Sequence, residues 1–469
     1  MTMFDRIKTF FGVQDMTTGR PIKGLIKFSI PLLIGNFAQQ LYNTVDAIVV
    51  GQHIGDSALA AVGTSGPIIN LLLVLFMGIS TGASILAAQF FGAKDRQSLN
   101  KVIGGALLLV VTTGLFMTVA GYFLAPALVQ MVDPPDTVAA NAQSYLQIIF
   151  LGIVGCSMYN ILSGILRGIG DSVFPLFALI VASLLNIGLD LLFVANFQMG
   201  VAGVAWATII AQGISAILCL IRLCTIRQVC DVQMKNILHP DGALVMRLCR
   251  LGLPAGITQA IFSMSALVVQ GLTNSMGEMV MAASTAVMRV DGFAMMPNFT
   301  FGIAATTFVG QNIGARKADR IRQGNKDLLK LALGSSITLV VCLLLFGYNL
   351  LYLFTDTAST LEIGNRGLRI LAFGYICFSV TQVLQGNMRG AGETMLPMWI
   401  SIITTVIIRM PLAYLFAYLT RSPEFPNGHS DALYFSLLLS WVMGMVLSVI
   451  VYRLGWWRKR LPAEFAKEM

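Results

Sequence analysis

The chain has 469 residues, of which 56% are hydrophobic and only 11% charged, with a mean hydropathy of +0.77. About a quarter of the residues of an ordinary soluble domain are charged, so a soluble fold is excluded and the composition is that of a membrane protein. The net charge of +9 would suggest nucleic acid only if the basic residues formed one patch, and they are instead spread among the loops.

The amino-terminal segment, residues 1–24, is basic and lacks an apolar core followed by a small-residue cleavage site. It is expected to remain in the cytosol, either as a short amphipathic interfacial helix or as a loose tail. Beyond it, apolar runs such as 71–86, 107–119 and 331–345 approach the roughly 20 residues that cross about 30 Å of hydrocarbon as a helix. They are too long and too unpatterned for strands of an outer-membrane barrel. Breaks at glycine, proline and charged clusters predict twelve helices, near 25–50, 58–86, 99–125, 138–165, 172–195, 200–223, 248–275, 280–308, 324–351, 365–388, 394–419 and 431–455.

With a cytosolic start, 26 of the 31 basic residues fall on the cytosolic side. Only Arg366, Arg369 and Arg421 fall outside, and Arg289 and Arg409 lie within spans. This is the positive-inside asymmetry, and it predicts a multi-pass protein of the inner (cytoplasmic) membrane with both termini in the cytosol. The seven cysteines contain no CxxC and the three histidines are scattered over loops. They read as packing and loop residues of a reducing compartment, with neither a metal site nor a cofactor. No GxxxxGK[ST] nucleotide loop is present, which argues against transport powered by ATP within the chain.

The chain repeats itself. ILSGILRGIGDSVFPL at 161–176 matches VLQGNMRGAGETMLPM at 383–398, and AQFFGAKD at 88–95 matches GQNIGARK at 310–317, all at an offset of 222 residues. Each repeat therefore holds six spans and enters the membrane from the same side. The expected fold is an all-α integral membrane protein of twelve transmembrane helices, in two six-helix lobes related by a pseudo-two-fold axis along the membrane normal, with a cavity between the lobes. The domain boundaries are a cytosolic segment at 1–24, an N-lobe at 25–223, a cytosolic linker at 224–247, a C-lobe at 248–455 and a basic tail at 456–469. Pro31, Pro67, Pro254, Pro297 and Pro411 interrupt predicted helices, where kinks or hinges are expected.

Polar residues within the spans carry the functional signal. Asn36, Gln39, Asn43 and Asp46 stack on one side of span 1, which requires a wet or protein-lined face. Asp46 and Asp190 lie at matched depth near the outer boundary, with Asn186 one turn beneath Asp190 and Thr208 near the depth of Asn186. An interhelical hydrogen bond, worth about 0.6 kcal/mol, is the plain alternative for Asn, Gln and Thr. An aspartate costs about 2.5–3.5 kcal/mol at a span centre, so two at one level need a reason. A proton shared between them, or a bound Na⁺ held by hard oxygen ligands, supplies it; a structural polar cluster is the alternative. At the 222-residue offset the second lobe has Val268, Ile408 and Leu412 opposite Asp46, Asn186 and Asp190, so the constellation belongs to one lobe. The second lobe has Arg289, Asp291 and Arg409 instead, which would form a salt bridge or contact substrate. Methionines 264, 276, 279, 281, 288, 295 and 296 would face lipid or pack, or else form an adaptable wall for apolar ligands.

With its RGxG[DE]xxxxP turns, its QxxGA turns and the segment PLLIGNFAQQLYNTVDAIVVG, the chain resembles the multidrug and toxic compound extrusion family over roughly residues 20–455. The resemblance implies an antiporter that exports amphipathic, often cationic organic compounds against Na⁺ or H⁺. The likeness is to the branch, including DNA-damage-inducible members, whose ion site is in the amino-terminal lobe. That site maps onto Asp46, Asn186, Asp190 and Thr208, and the bending proline onto Pro31. Another branch carries acids in spans 7 and 10, and both spans lack internal acids here. A substrate cavity would use Asn36, Gln39, Asn43, Arg289, Asp291 and Arg409. Small organic substrates and the bilayer are the expected partners, without nucleic acid, and the chain is expected to act as a monomer. A flippase of lipid-linked saccharides is the alternative within transport; an integral-membrane enzyme would need loop-borne catalytic groups, and none is visible.

Overall fold

The computed structural model describes residues 12–54, 56–131, 135–461 and 465–466, and the side chains of residues 43, 46–53, 56–60, 64, 67, 71, 136 and 137 are outside that description. The candidate interfacial helix over the first dozen residues therefore lies almost wholly outside the described residues. Twelve long helical segments follow: α1 (Pro21–His53), α2 (Asp56–Gly92), α3 (Arg96–Gln130), α4 (Asp136–Gly168), α5 (Val173–Asp190), α6 (Gly200–Thr225), α7 (Gly242–Ser275), α8 (Glu278–Ala294, resuming at Met296–Gly314), α9 (Ala318–Tyr352), α10 (Ala358–Gly390), α11 (Met395–Leu419 in three pieces) and α12 (Asp431–Leu454). Eleven of these, α2 to α12, are long and apolar enough among the described residues to cross a membrane. Helices are the outcome that lipid imposes, because each backbone N–H and C=O must find its partner within the segment.

The expected prolines act unevenly. Pro31 and Pro254 sit inside continuous helices. Pro297 follows the break at Met295 in α8, where its missing N–H falls in the first turn of the resumed helix and costs no bond. Pro411 likewise lies in the first turn of Met410–Leu419. Two helices widen into π-turns, at Leu191–Asn196 directly after Asp190 and at Ile402–Arg409 ending on Arg409.

The chain forms two compact units, one of residues 1–17 and 26–256, the other of 18–25 and 257–469. In the first, α4 packs against α2, α3 and α6; in the second, its repeat counterpart α10 packs against α8, α9 and α12. Phe76, Ile85, Leu86, Ile103, Leu146 and Phe150 centre the first core, and Leu361, Leu368, Leu371 and Tyr375 the second. The first half of α7 belongs to the first unit because Gly252 lets its backbone touch α2: a Cβ there would fall 2.7 Å from the Gly78 carbonyl oxygen.

The linker region is held against α3. The Asp231 N–H donates to Asn100 at 2.8 Å, and Lys101 pairs with Asp241 at 3.2 Å. Asp241 also accepts the Ala243 and Leu244 N–H groups at 3.1 and 3.3 Å, capping α7 after Pro240 has ended the short helix Met234–Leu238. The Lys101 contact, followed by the Leu244 bond, holds this carboxyl below its usual range.

The repeated turns are built alike. Gly168 and Gly390 bring α4 onto α2 and α10 onto α8, since a Cβ would lie 2.5 Å from the Ser84 oxygen or 2.6 Å from the Thr306 oxygen. Gly170 and Gly392 follow in left-handed conformation, φ +93° and +85°, a region open to glycine. The acid comes next. Asp171 accepts the Phe174 N–H at 3.1 Å and pairs with Arg222 at 2.8 Å. Glu393 accepts the Met395 and Leu396 N–H groups at 2.9 and 3.2 Å and pairs with Arg460 at 3.0 Å. The motif thus encodes a close helix crossing, a reversal and an N-terminal cap in ten residues. Burial pushes the Asp171 carboxyl up, against the downward pull of Arg222.

Candidate functional site

In the first unit, α5 and α6 bring the sequence-predicted residues together. Asn186 and Asp190 are one helical turn apart and both fully buried. With its amide nitrogen toward the carboxylate, Asn186 donates to Asp190 Oδ2 at 2.9 Å, and its oxygen accepts the backbone N–H of Thr208 at 3.2 Å. That orientation is the one in which donor meets acceptor on both sides. The widened turn that begins at Leu191 is of a kind that often marks functional sites. Asn43 and Asp46 belong to α1, and their side chains lie outside the described residues.

Two cavities open in the first unit, and Thr208 lines the larger of them. One of about 220 Å³ is lined by Gln39, Tyr42, Tyr145, Phe150, Thr208 and Gln212. The other, of about 130 Å³, is lined by Pro31, Asn36, Gln39, Tyr159, Asn160 and Arg167. Gln39 borders both and Asn36 the smaller one, so the two described residues of the α1 stripe face protein-lined space. The stripe's spacing pointed to these cavities; Arg167, read only as part of a repeated turn, is a cation in the cavity wall that the sequence reading missed.

In the second unit the expected residues separate. The Tyr375 hydroxyl donates to Asp291. Among the described residues no ion pair within 4.0 Å joins Asp291 to Arg289 or Arg409, so the carboxylate has a tyrosine partner where an arginine was one expectation. Arg289 is exposed on α8. Arg409 lines a cavity of about 260 Å³, together with Gln259, Gln382, Gln385, Phe378 and Trp441. Of the methionines, Met264, Met279 and Met288 are exposed, Met296 is buried, and Met295 reaches the cavity wall. Nothing in the sequence marked Tyr375, Gln382 or Trp441, because each is an ordinary residue of an apolar span until the fold sets it beside its neighbours.

Twelve membrane-length helices, a twofold repeat, buried polar clusters and protein-lined cavities define a multi-pass transporter. Comparison with known proteins gives the family. The MatE family model matches residues 31–192 and again 254–415, beginning at Pro31 and at Pro254. The chain is 28% identical to the probable multidrug resistance protein YpnP of Bacillus subtilis, over 95% of this chain and 97% of that one. It is 30% identical to the probable multidrug resistance protein YoeA of the same organism, over 84% of this chain and 86% of that one. Among solved structures, a MATE transporter crystallised in complex with MaL6 superposes with a TM-score of 0.86 at 25% identity, covering 98% of this chain and 99% of that one. The chain belongs to the MatE family; it is a membrane transporter and not an enzyme.

Proposed function

We propose that this protein exports amphipathic, often cationic organic compounds in exchange for Na⁺ or H⁺ moving inward, with Asp46, Asn186, Asp190 and Thr208 holding the ion. The observation that carries the reading is Asp190. Its carboxylate is fully buried and bonded to Asn186, which is bonded in turn to the backbone of Thr208, and the Thr208 side chain borders the 220 Å³ cavity. A buried acid is stable when a cation or a proton neutralises it, and each ion is drawn in by the membrane potential. An ion at Asp190 and a substrate against Gln39, Thr208 and Gln212 would bias the same helices toward alternative states, which is the differential binding that exchange requires. The names of relatives such as YpnP and YoeA, probable multidrug resistance proteins, support drugs as the exported class.

The basic excess of the loops at the ends of α2, α6, α8 and α12 supports cytosolic termini in the cell membrane. Pro31, inside α1 and in the wall of the smaller cavity, is the candidate bending point. The N-lobe at 25–223, the linker at 224–247 and the C-lobe at 248–455 are the corresponding functional divisions, and we take the monomer as the working unit. A phosphate-handling flippase would call for a strongly basic cavity, and each of these three cavities among the described helices carries one arginine at most, Arg167 or Arg409.

The test is dye transport in proteoliposomes with sodium and proton gradients imposed separately. One of the two gradients drives wild-type efflux, and Asp190→Asn and Asp46→Asn lose it while remaining folded. Efflux at wild-type rate in both variants would remove the ion-site assignment.

A further inference from the structure

We propose that the cavity of the second unit is a binding site for organic anions, in which Arg409 meets a carboxylate or comparable anionic group and an aromatic wall holds the rest of the molecule. The proposal stands apart from the cation site of the first unit and does not depend on it.

Arg409 ends the π-turn of α11, two residues before Pro411, and is the one charged residue in the wall of the 260 Å³ cavity. It has no hydrogen bond or ion pair with a described residue, and its Nε is shielded from solvent without an acceptor. A guanidinium in an apolar span is costly to leave uncompensated. Asp291, the acid whose field reaches it, is bonded to the Tyr375 hydroxyl, is not part of the cavity wall and lies beyond ion-pair distance.

The remaining polar groups of the wall are sorted by what they can still donate. The hydroxyls of Thr381, Ser401, Thr404 and Ser440 already donate to backbone carbonyls, at 2.9–3.0 Å. Arg409, the amides of Gln259, Gln382 and Gln385 and the hydroxyl of Thr405 are the donors left for a ligand. A single positive charge among neutral amides selects an acceptor, and a bidentate carboxylate suits the guanidinium fork best. Part of the wall is aromatic: Phe299, Phe378 and Trp441 line it, with ring centroids 5.7 and 5.5 Å apart, and the buried Tyr375 ring backs Trp441 at 5.4 Å. Such a wall accepts a flat apolar body, and small-molecule sites combine an apolar lining with a few aimed polar groups in this way.

The probe is 2-naphthoate, with uncharged 2-naphthamide as its neutral counterpart, added to the purified full-length protein in nanodiscs. Binding is followed by equilibrium dialysis and by quenching of tryptophan fluorescence. Wild type is expected to bind the carboxylate about tenfold more tightly than the amide, the discrimination that one charge-assisted hydrogen bond provides. Arg409→Gln should remove that preference by weakening naphthoate alone, Arg409→Lys should keep part of it, and Trp441→Phe should abolish most of the quench. Equal affinities for naphthoate and naphthamide in wild type would overturn the proposal even if Arg409→Gln failed to fold. Unchanged naphthoate binding in a folded Arg409→Gln protein would also overturn it.

Discussion

Helices α5 and α11 hold the same place in the two repeats and carry opposite charges. Each follows an RGxG turn, begins beneath an acidic cap and contains a π-turn. In α5 the buried polar residues are Asn186 and Asp190; their counterparts at the 222-residue offset are Ile408 and Leu412, while Arg409 stands opposite Ile187. The scaffold residues are repeated because both units must make the same crossing and the same reversal in lipid. Asp190 and Arg409 are not repeated, because neither takes part in the crossing or the reversal and each position is free to take either sign. A repeat that duplicates its frame can therefore bury an acid in one unit and set an arginine in a cavity wall of the other.

The largest effect should come from breaking this asymmetry at its acid. Asp190→Asn removes the group on which a driving charge would ride, and one charge across 100 mV is worth about 2.3 kcal/mol, or about fiftyfold in substrate accumulation. Leu412→Asn, which puts the same residue at the counterpart position, should leave the ion dependence of efflux within about twofold, as expected where no ion is bound. Equal losses in the two variants would mean that the units share the coupling.

The shared frame predicts matched damage. Gly168→Leu and Gly390→Leu each force a side chain into a carbonyl oxygen less than 2.7 Å from the new Cβ, and overpacking of this kind costs about 1–3 kcal/mol or more. Thermal unfolding in detergent should show comparable losses for the two, both well beyond that of Gly213→Ala, where nothing lies within 4 Å.

The acidic caps separate by environment. Burial raises the Asp171 carboxyl above its usual 3.8 despite Arg222. Its ionisation therefore opposes folding above the raised value, and that penalty is relieved as pH falls through it toward 3.8. Compared with Asp171→Asn, the wild type should gain melting temperature between about pH 7 and about pH 4; a parallel pH course for the two proteins would remove Asp171 from the account.

The smallest contrast lies at the QxxGA turns. Asp95 accepts the Ser98 N–H at 3.0 Å and caps α3, a bond that holds its carboxyl below the usual 3.8. Lys317 occupies the corresponding N-terminal position of α9 and makes no side-chain cap bond there. Asp95→Ala should cost about 1 kcal/mol, as read by chemical unfolding. The Asp95 contribution is present above pH 3.8 and is lost as pH falls through the lowered folded value.

Much of the fold was legible because lipid leaves few options. Apolar length gave twelve helices, and the paired Gly164/Gly386, Gly168/Gly390 and Gly170/Gly392 gave the repeat. Boundaries moved where a cap decided them: α7 starts at Gly242 under Asp241, several residues before the expected 248. Within the candidate site, periodicity picked out the bonded pair Asn186 and Asp190 and the cavity-lining Asn36 and Gln39 of α1. The site was not legible where neutral residues acquire a role from their neighbours. Trp441, Gln382 and Tyr375 have no distinguishing spacing, and the partner of Asp291 could not be chosen between arginines and a tyrosine 84 residues away.

The sequence by itself determined that the chain crosses the bilayer, that it does so in two similar halves, and that its carboxylates are distributed unequally between them. Those are consequences of composition and period, which are properties of a one-dimensional string. Tertiary structure decided which charges find partners: that Asp171 meets Arg222, that Asp291 meets Tyr375, and that Arg409 is left facing a cavity. Partnering depends on distances between helices far apart in the chain, and those distances are fixed by the glycine crossings and widened turns that bring the helices together.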